Sequence, residues 1–448
     1  MAGELEAVAK RAVDEAVGAG AEDAEAWAEG SRDREVRVHA GEVESLTEAS
    51  ERGVGIRAWI GGRSGYAFGT DLSEEGLAQL GASAAAAARV ADADEHAAPP
   101  DAAGEAKKIE GLHDEAVATT ETKDVIELAQ SVERAALDVD KVTGVEDVVY
   151  VDSDGEAALA SSRGPSGSFA ISQCYAYLQA LSGENGEVQT GLGFGVGRSP
   201  RDLEPESIGA EAGDEAASML GAGKPKSRSC PVVLNDRVAA SFAGFIGGAL
   251  SADEVQRGRS PFADRLGQVV ASPLLTLVDD PTDARSIAAD SHDGEGLACR
   301  RNVLIEDGVL QRFLHNSYTG RRSGTASTGS AVRTARSLPS VGVQAMATRP
   351  GARSWEDLLG GVELGLMVQS MNGLHSGVNP TSGDFSVGVE GLMIRRGELA
   401  EPVREVTVAS TLQRLLVDIV AVGSEIEWLP SGAGCSALLI GEVALSGA

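Results

Sequence analysis

One order of predicted elements occurs twice in the first half of this chain: a helix, then β-hairpins, then a second helix. Residues 4–17 place apolar side chains on one helical face, and strand-like segments follow between residues 23 and 68. Asp71 or Ser73 then begins an alanine-rich helix that extends to about residue 90. Hairpins join neighbouring antiparallel strands, whereas parallel strands need long crossover connections. The pattern therefore predicts an α+β fold in which N-terminal helices pack on antiparallel sheet.

The second block has the same order and ends in an acidic helix. Its first helix is predicted over residues 121–136 and its last over residues 205–222. Asp-Gly and Asn-Gly dipeptides between strand-like runs favour two-residue hairpin turns. Two hairpins are therefore predicted, with strands at 145–151 and 156–161 around Asp154-Gly155, and strands at 168–182 and 187–197 around Asn185-Gly186.

Two changes in composition divide the chain into three predicted domains. Residues 91–108 are polar, contain proline and lack periodicity, and Lys224-Pro225-Lys226-Ser227 forms a second polar break. Beyond this break, short strands separated by glycine and aspartate turns dominate, which predicts a β-rich C-terminal part. The predicted domains are 1–107, 108–223 and 224–448.

The charge balance excludes several classes of partner. The 448 residues contain 38 Lys and Arg against 68 Asp and Glu, for a formal net charge of −30. Phosphate contacts and anionic lipid surfaces both require clustered basic residues, so neither a nucleic acid nor a membrane is an expected partner. The chain has no run of 18 apolar residues and opens on an acidic segment without a signal-peptide pattern. Its four cysteines are isolated, so we expect a cytoplasmic location.

Residue types that carry hydrolytic chemistry are present but scattered. The two closest of the six histidines are 17 residues apart, so no helix offers the paired imidazoles of a zinc helix. Asp279-Asp280 and His292-Asp293-Gly294-Glu295 are the groupings worth testing as metal ligands, and acidic turns of this kind are expected to be solvated. The glycine run 191–195 is expected to mark either tight backbone packing or β-bulges. Three cysteines are expected to be small buried residues: Cys174, Cys299 and Cys435.

Two long polar segments, residues 316–333 and 372–386, have an unusual composition for segments with a purely structural role. Both are rich in hydroxyl and glycine residues, and the first is also basic. Loops of this length inside a compact domain are usually functional or disordered. Free backbone groups would suit the binding of an extended peptide through main-chain hydrogen bonds. The alternative is that both segments are flexible surface loops.

Several ordered motifs carry a family resemblance that extends over nearly the whole chain. They are Gly53-Val54-Gly55-Ile56-Arg57, Gly62-Arg63-Ser64-Gly65-Tyr66-Ala67, Asp71-Leu72-Ser73, Gly294-Glu295-Gly296, Leu304-Ile305-Glu306-Asp307-Gly308, Asn316-Ser317-Tyr318-Thr319, Ser327-Thr328-Gly329, Ser376-Gly377-Val378-Asn379, Thr381-Ser382-Gly383-Asp384-Phe385-Ser386, Gly391-Leu392-Met393-Ile394 and Ala421-Val422-Gly423-Ser424. In these motifs and their order the chain resembles the TldD/PmbA family of peptidase-related proteins, and specifically its PmbA (TldE) branch.

The resemblance implies a peptidase assembly, but the motif that would hold its metal is missing. TldD-type members carry HExxxH on a helix that matches residues 232–250 and a cysteine ligand in the segment that matches residues 421–425. The first segment has no histidine and the second no cysteine, while Cys435 lies about ten residues beyond. We therefore expect a metal-free, inactive subunit that pairs with a zinc-bearing TldD-like protein, or forms a homodimer, and acts on extended or unfolded peptides. No cofactor is expected in this chain, and zinc is expected only in the partner.

Under this interpretation, the two polar segments line the peptide cavity or the subunit interface. The candidate residues are Asn316, Tyr318, Arg321, Thr328, Arg333, His375, Asn379, Asp384 and Ser386. Two alternatives remain open. The chain could be a homodimeric hydrolase that uses His375 with Asp384, or a metal held by His292 and Asp293. It could also be a regulatory binding protein of the gyrase-modulator kind, whose acidic surface imitates DNA.

Overall fold

The computed structural model describes residues 2–101 and 106–448; for Ala2 and His375 it describes the backbone but not the side chain. The predicted α+β class is confirmed, since helices pack on largely antiparallel sheets and the C-terminal part is rich in β-structure. Residues 102–105 of the predicted linker lie outside the described residues. Within the described ranges, no helix is both long enough and apolar enough to cross a membrane.

The N-terminal half is built on one large antiparallel sheet. Its elements are α1 (Ala2–Gly18), β1 (Asp23–His39), β2 (Glu42–Ile60), β3 (Arg63–Gly69), α2 (Glu74–Val90), α3 (Ala116–Thr119), α4 (Thr122–Leu137), β4 (Val142–Ser161), β5 (Gly167–Glu184), β6 (Glu187–Gly197) and α5 (Pro205–Ser218). The strand order is β3-β2-β1-β4-β5-β6. Because β1–β3 precede residue 107 and β4–β6 follow it, the first two predicted domains share this sheet. The proposed domain boundaries themselves stay a prediction.

Small residues let the helices approach the sheet closely. Gly191 and Gly193 of β6 face the backbone of α5, and a Cβ on Gly193 would collide with the carbonyl oxygen of Ile208. Of the two alternatives expected for this glycine run, tight backbone packing is therefore confirmed. On the other half of the sheet, α2 begins where Ser73 Oγ accepts a hydrogen bond from the Gly76 amide at 3.1 Å.

The two predicted hairpins have different outcomes. The Asn185-Gly186 turn is confirmed, with φ values of 52° and 86° that suit the left-handed backbone of a two-residue turn. The Asp154-Gly155 hairpin is wrong, because β4 continues through this dipeptide without turning. There, residues 154 and 155 pair with Arg32 and Ser31 of β1 on one side and with β5 on the other. Ladder hydrogen bonds on both sides thus keep the strand extended despite its turn-forming sequence.

The C-terminal part combines short elements around a closed sheet. They are β7 (Arg228–Leu234), α6 (Asp236–Ala249), α7 (Ala252–Gln256), β8 (Leu277–Asp279), β9 (Asn302–Glu306), β10 (Val309–Leu310), α8 (Ser317–Ser323), β11 (Ala331–Val332), β12 (Ser340–Val341), β13 (Met346–Thr348), α9 (Trp355–Gly360), β14 (Leu364–Asn372), α10 (Leu374–Gly377), β15 (Asp384–Arg395), β16 (Glu398–Thr411), α11 (Leu412–Val417), β17 (Ile419–Val422), β18 (Glu427–Trp428), β19 (Gly434–Cys435) and β20 (Leu438–Ser446).

Two six-stranded sheets in this part enclose the largest apolar core. One has the order β16-β15-β14-β7-β20-β17 and closes on itself through pairing of β16 with β20. The other has the order β10-β9-β8-β13-β19-β18. Helix α6 contacts β7 and β14 of the first sheet and β13 and β19 of the second. The core that α6 shares with both sheets therefore fixes the position of this helix. The three cysteines expected to be buried are all buried and free, which confirms that expectation.

Candidate functional site

Helix α6 matches the segment in which the resembled family carries its metal motif. It follows β7 directly, and Asn235 caps it by accepting a hydrogen bond from the Val238 amide at 2.9 Å. Its inner face is buried in the C-terminal core. Its outer face is small and only partly covered, with Ser241, Gly244 and Gly248 exposed. The outer face is therefore the part of α6 that a ligand could reach.

A groove with a cavity volume of about 700 Å³ runs along this outer face. The walls opposite α6 are mainly apolar and come from separate loops and strands: Val343, Met346, Leu374, Val378, Leu412 and Leu429. Charged groups at the groove are already paired, because Arg259 donates to both carboxylate oxygens of Glu254 at 2.9 and 2.6 Å. We call this feature the α6 groove. Its lining suits apolar side chains better than it suits an ion.

The side chains at the α6 groove do not fit a zinc ion. Zinc in peptidases is held by imidazole, thiolate and carboxylate ligands. Where α6 lines the groove, Ser241 is polar, and its hydroxyl donates to the Arg237 carbonyl at 3.1 Å. Cys435 is fully buried in β19, and burial raises the pKa of its thiol to about 12. Among the described residues, no group of three or more His, Cys, Asp or Glu is arranged to hold a metal ion.

The acidic turns that were expected to be solvated are buried, so that expectation is wrong. Asp279, Asp293 and Glu295 are each at most 1% exposed. Asp293 Oδ1 accepts from the amides of Glu295 and Leu297 at 2.9 Å, and its Oδ2 accepts from the Ala331 amide at 3.1 Å. These carboxylates satisfy backbone donors inside the domain, which is why the chain tolerates their burial. Both Asp293 oxygens are thus engaged by backbone amides, and among the described residues no group of three His, Cys, Asp or Glu forms around the metal site considered with His292.

Burial changes the acidity of these carboxyl groups. Burial, reinforced by the nearby Glu295, raises the pKa of Asp293 to about 7 despite its three amide donors. Burial likewise raises the pKa of Asp279 to about 6, against hydrogen bonds from the Ala345 and Gln344 amides. Asp279 Oδ1 receives both of those hydrogen bonds, at 2.7 and 3.0 Å, whereas Oδ2 has no partner in the described structure. Both groups are best understood as structural acceptors.

The segment 316–333 is more ordered than the expected loop. Its first part forms α8, which starts with a capping box: Asn316 Oδ1 accepts from the Thr319 amide at 2.9 Å, and the Asn316 amide donates to Thr319 Oγ1 at 3.2 Å. Glu295 Oε2 accepts a hydrogen bond from the Ser317 amide at 2.8 Å. The expectation of free backbone groups is thus wrong for this part, because capping side chains already occupy them.

Three predicted candidates on this segment lie together at a second cavity. Asn316, Tyr318 and Arg321 line a space of about 730 Å³ between α8 and residues 91–98. The Tyr318 hydroxyl donates to Asp94 Oδ2 at 2.8 Å. Arg321 donates to the carbonyls of His96 and Ala98 at 2.8 and 2.6 Å. These contacts hold the N-terminal linker segment against the C-terminal part.

Two further candidates from this segment lie away from that cavity. Thr328 Oγ1 accepts from the His315 amide at 2.7 Å and so fixes the chain that leads into α8. Arg333 extends to the N-terminal sheet, where its Nη1 donates to Glu25 Oε1 at 2.8 Å. Glu25 and its second partner Arg57 were not among the predicted candidates. The sequence did hold one signal for Glu25: it is a charged residue between Ala24 and Ala26 on β1, and both of these neighbours are buried.

The remaining candidates lie at the loop between β14 and β15. Asn379 Oδ1 accepts from the amides of Thr381 and Ser382 at 2.9 and 3.1 Å, and Asp384 Oδ2 accepts from the Ser382 hydroxyl at 2.7 Å. Ser386 is exposed on β15. The side chain of His375 lies outside the described structure. Leu374, Val378 and Pro380 of this loop line the α6 groove, whereas Asn379, Asp384 and Ser386 do not. These candidates form a group separate from Asn316, Tyr318 and Arg321.

Family models place the chain in one class of protein, the PmbA/TldA metallopeptidase family, over most of its length. Residues 24–88 match PmbA/TldA metallopeptidase domain 1, residues 115–220 match the central domain, and residues 227–447 match the C-terminal domain. The chain belongs to the TldD/PmbA family. This confirms the resemblance drawn from the ordered motifs.

Individual relatives agree with this assignment over most of their length. The metalloprotease PmbA of Escherichia coli O157:H7 is 30% identical over 417 residues, which cover 92% of this chain and 89% of the relative. The crystal structure of TldE from Thermococcus kodakarensis has a TM-score of 0.91 at 23% identity and covers 98% of this chain and 100% of its own. A proposed modulator of a DNA gyrase from Thermotoga maritima gives the same values. At this identity the two structures show a shared fold.

Proposed function

We propose that this chain is a metal-free, non-catalytic subunit of a cytoplasmic peptidase in which a TldD-like partner supplies the zinc. The pair would cleave extended or unfolded peptides in proteolysis or peptide maturation. The observation that carries the proposal is the outer face of α6, where Ser241, Gly244 and Gly248 line the groove and the helix offers no imidazole or thiolate. Without imidazole or thiolate there, nothing lowers the pKa of a zinc-bound water for attack on an amide.

The shape of the α6 groove supports a role in peptide handling. A cavity of about 700 Å³ with mainly apolar walls has room for the side chains of a bound peptide segment. Leu374 and Val378 bring the β14–β15 loop to this groove. A subunit of this kind would contribute binding surface and shape, whereas the reacting groups would come from the partner.

The first experiment measures metal content and peptide cleavage for the chain alone and with a TldD-like partner. We expect the purified chain to contain far less than one zinc per chain and to leave unfolded peptides intact. Coexpression with an HExxxH-bearing relative should yield a complex that carries zinc in the partner and cleaves the same peptides. Stoichiometric zinc in this chain, or cleavage by this chain alone, would contradict the proposal and favour an independent hydrolase.

A second experiment separates the peptidase subunit from a regulatory binding protein. Affinity capture should recover an HExxxH-bearing protein of similar size. Recovery of a basic partner in a salt-sensitive complex, with no TldD-like protein, would instead favour the regulatory alternative that the −30 charge allows. As a control within the complex, Gly244→Leu should fill the α6 groove and reduce peptide cleavage. Arg336→Gln, a change at an exposed ion pair with Glu51, should not.

A further inference from the structure

A cluster of three charged side chains is buried where the N-terminal sheet meets the C-terminal part. Glu25 is 0% exposed, and Arg57 and Arg333 converge on it from β2 and from the segment after β11. Arg333 Nη1 lies 2.8 Å and Arg57 Nη2 3.1 Å from the same oxygen, Glu25 Oε1. Burial alone would raise the pKa of Glu25, but the two guanidinium groups hold it below its ordinary value. Glu25 is therefore ionised, and the three groups together carry a charge of +1.

The cluster also has more hydrogen-bond donors than acceptors. Nε of Arg57 and both Nε and Nη2 of Arg333 are buried without a hydrogen-bond acceptor among the described residues, and Glu25 Oε2 has no donor. Arg57 Nη2 is also buried, and its 3.1 Å contact with Glu25 Oε1 is an ion pair without hydrogen-bond alignment. Two guanidinium groups carry roughly ten N–H donors, whereas one carboxylate offers about four acceptor sites. Even with both oxygens in use, Glu25 would leave donors of the cluster unsatisfied. Buried donors of this kind are stabilised by a further acceptor, and an anionic acceptor would also balance the charge.

Arg57 is the member of the cluster that an external acceptor can reach. Its side chain is 12% exposed and lines the cavity of about 730 Å³ between α8 and residues 91–98, whereas the Arg333 side chain is 0% exposed. The Arg57 guanidinium lies 4.5 Å from the centre of the Trp59 ring, so one of its faces is covered by the indole. Since Nε and Nη2 are enclosed, Nη1 is the guanidinium nitrogen left to bind an acceptor from the cavity. We call this cavity the Arg57 pocket.

The charge changes sign between the inside of the Arg57 pocket and its rim. Asp92, Asp94 and Glu95 supply three carboxylates along the linker segment at the rim. Asp94 is held in place by the Tyr318 hydroxyl and by the His96 amide, both of which donate to it. Asp253 at the same cavity is neutralised by Arg257 at 2.8 Å. A dianion such as phosphate would therefore meet like charges on entry, whereas a zwitterion matches both regions.

We propose that the Arg57 pocket binds a small zwitterion of the amino-acid or short-peptide class, with its carboxylate at Arg57 and its ammonium group toward residues 92–95. A planar guanidinium edge pairs well with a carboxylate, and exposed carboxylates attract an ammonium group. The cavity volume admits a dipeptide. This proposal does not depend on the peptidase role, because its test uses the full chain alone and measures no cleavage.

The test is isothermal titration calorimetry with a matched set of probes on the wild-type chain. Glycylglycine should bind saturably. Glycylglycinamide, which lacks the carboxylate, and acetylglycylglycine, which lacks the ammonium group, should each bind at least tenfold more weakly, and inorganic phosphate should not compete. Absence of saturable glycylglycine binding, or equal binding of the amide or of phosphate, would overturn the proposal. This series requires no variant and so stays decisive whatever the mutations do to folding.

Three variants then locate the binding group. Arg57→Gln should weaken glycylglycine binding at least tenfold, and Arg57→Lys should weaken it less because the charge is kept without the planar fork. The control Arg336→Gln alters a surface arginine that pairs with Glu51 outside the pocket and should leave binding unchanged. Unchanged binding in a folded Arg57→Gln variant would refute the assignment.

Discussion

Two glycines of α6 separated by three positions should respond differently to the same substitution to alanine. A Cβ added to Gly244 would have no heavy atom within 4 Å, because this residue faces the open α6 groove. A Cβ added to Gly247 would lie 2.7 Å from Val343 Cγ2 and closer still to Met346 Cε, because this residue faces the β12–β13 connection. Gly244→Ala therefore measures the effect of helix propensity alone. Gly247→Ala, in the same helix, measures helix propensity together with steric overlap.

The magnitudes follow from these environments. Alanine is better than glycine inside a helix by about 1 kcal/mol, so Gly244→Ala should raise the free energy of unfolding by about that amount. Gly247→Ala gains the same propensity but overpacks the contact with Val343 and Met346, which typically costs about 1–3 kcal/mol. Its net effect should therefore lie between neutral and about 2 kcal/mol of destabilisation, which places the two variants about 1–3 kcal/mol apart.

Urea unfolding at equilibrium, followed by far-ultraviolet circular dichroism, measures this difference. The C-terminal transition should be assigned first, because a chain of this size need not unfold in one step. Gly248→Ala serves as a matched control, since a Cβ there would also have no atom within 4 Å. Equal stabilities of Gly244→Ala and Gly247→Ala would refute the packing of α6 against Met346. Destabilisation by Gly244→Ala would show that the outer face of α6 is not open.

Three further predictions concern stability. Burial raises the pKa of Asp279 to about 6 in the folded chain, so the folded state binds its proton more tightly than the unfolded state does. The resulting stabilisation is fully present below about pH 4 and is lost as the pH rises through 6. The loss in the free energy of unfolding is about 3 kcal/mol. Asp279→Asn, which keeps the two amide hydrogen bonds to Oδ1, should therefore flatten the urea-measured stability between pH 4 and 7. Asn316→Ala removes the cap that Thr319 completes and should destabilise the chain by about 1 kcal/mol in the same assay. Gly193→Ala should lower the thermal unfolding midpoint, because its Cβ would meet the Ile208 carbonyl of α5.

Each of these predictions has a result that would contradict it. An Asp279→Asn variant with the same pH profile as the wild type would show that this carboxyl group ionises normally. An Asn316→Ala variant of unchanged stability would indicate that α8 does not depend on its capping box. A Gly193→Ala variant as stable as the wild type would contradict the close approach of β6 to α5. Gly186→Ala in the neighbouring turn cannot test this approach, because Gly186 has a positive φ and alanine would add a separate backbone strain there.

The sequence predicted the N-terminal elements well where local signals decide the structure. The Asn185-Gly186 turn and the cap at Ser73 depend on residues within a few positions of one another. The Asp154-Gly155 dipeptide carries the same kind of local signal but forms no turn. Its conformation is set by pairing with β1, more than a hundred residues earlier in the chain. A local pattern cannot show which strand will lie beside it.

The candidate site shows the same division between local and distant information. The capping box of Asn316 and Thr319 was not predicted, because the polar composition of the segment around it suggested a loop. The burial of Asp293 was not visible, because its Oδ2 accepts from the Ala331 amide, 38 positions away. A cluster of carboxylates near glycine looks like a solvated turn until the backbone donors that surround it are known.

The two cavities share one stretch of chain, which links the two proposals. Residues 338–341 line the Arg57 pocket, and Val343, Gln344 and Met346 line the α6 groove. Within residues 338–341, strand β12 pairs with β11. Strand β11 leads directly to Arg333 and its ion pair with Glu25. A ligand that orders the Arg57 pocket should therefore slow amide hydrogen exchange in residues 338–341 most and in residues 343–346 to a smaller extent.

Hydrogen exchange followed by mass spectrometry, with and without saturating glycylglycine, tests this link. Peptides that cover residues 338–346 should show slower exchange with the ligand, while peptides from β5 and β6, on the far side of the N-terminal sheet, should not change. The Arg57→Gln variant should lose the effect at the same ligand concentration. Slower exchange in residues 338–341 with none in residues 343–346 would mean that the Arg57 pocket and the α6 groove act independently. Slower exchange in both stretches would mean that β11 and β12 transmit the effect of ligand in the Arg57 pocket to the α6 groove.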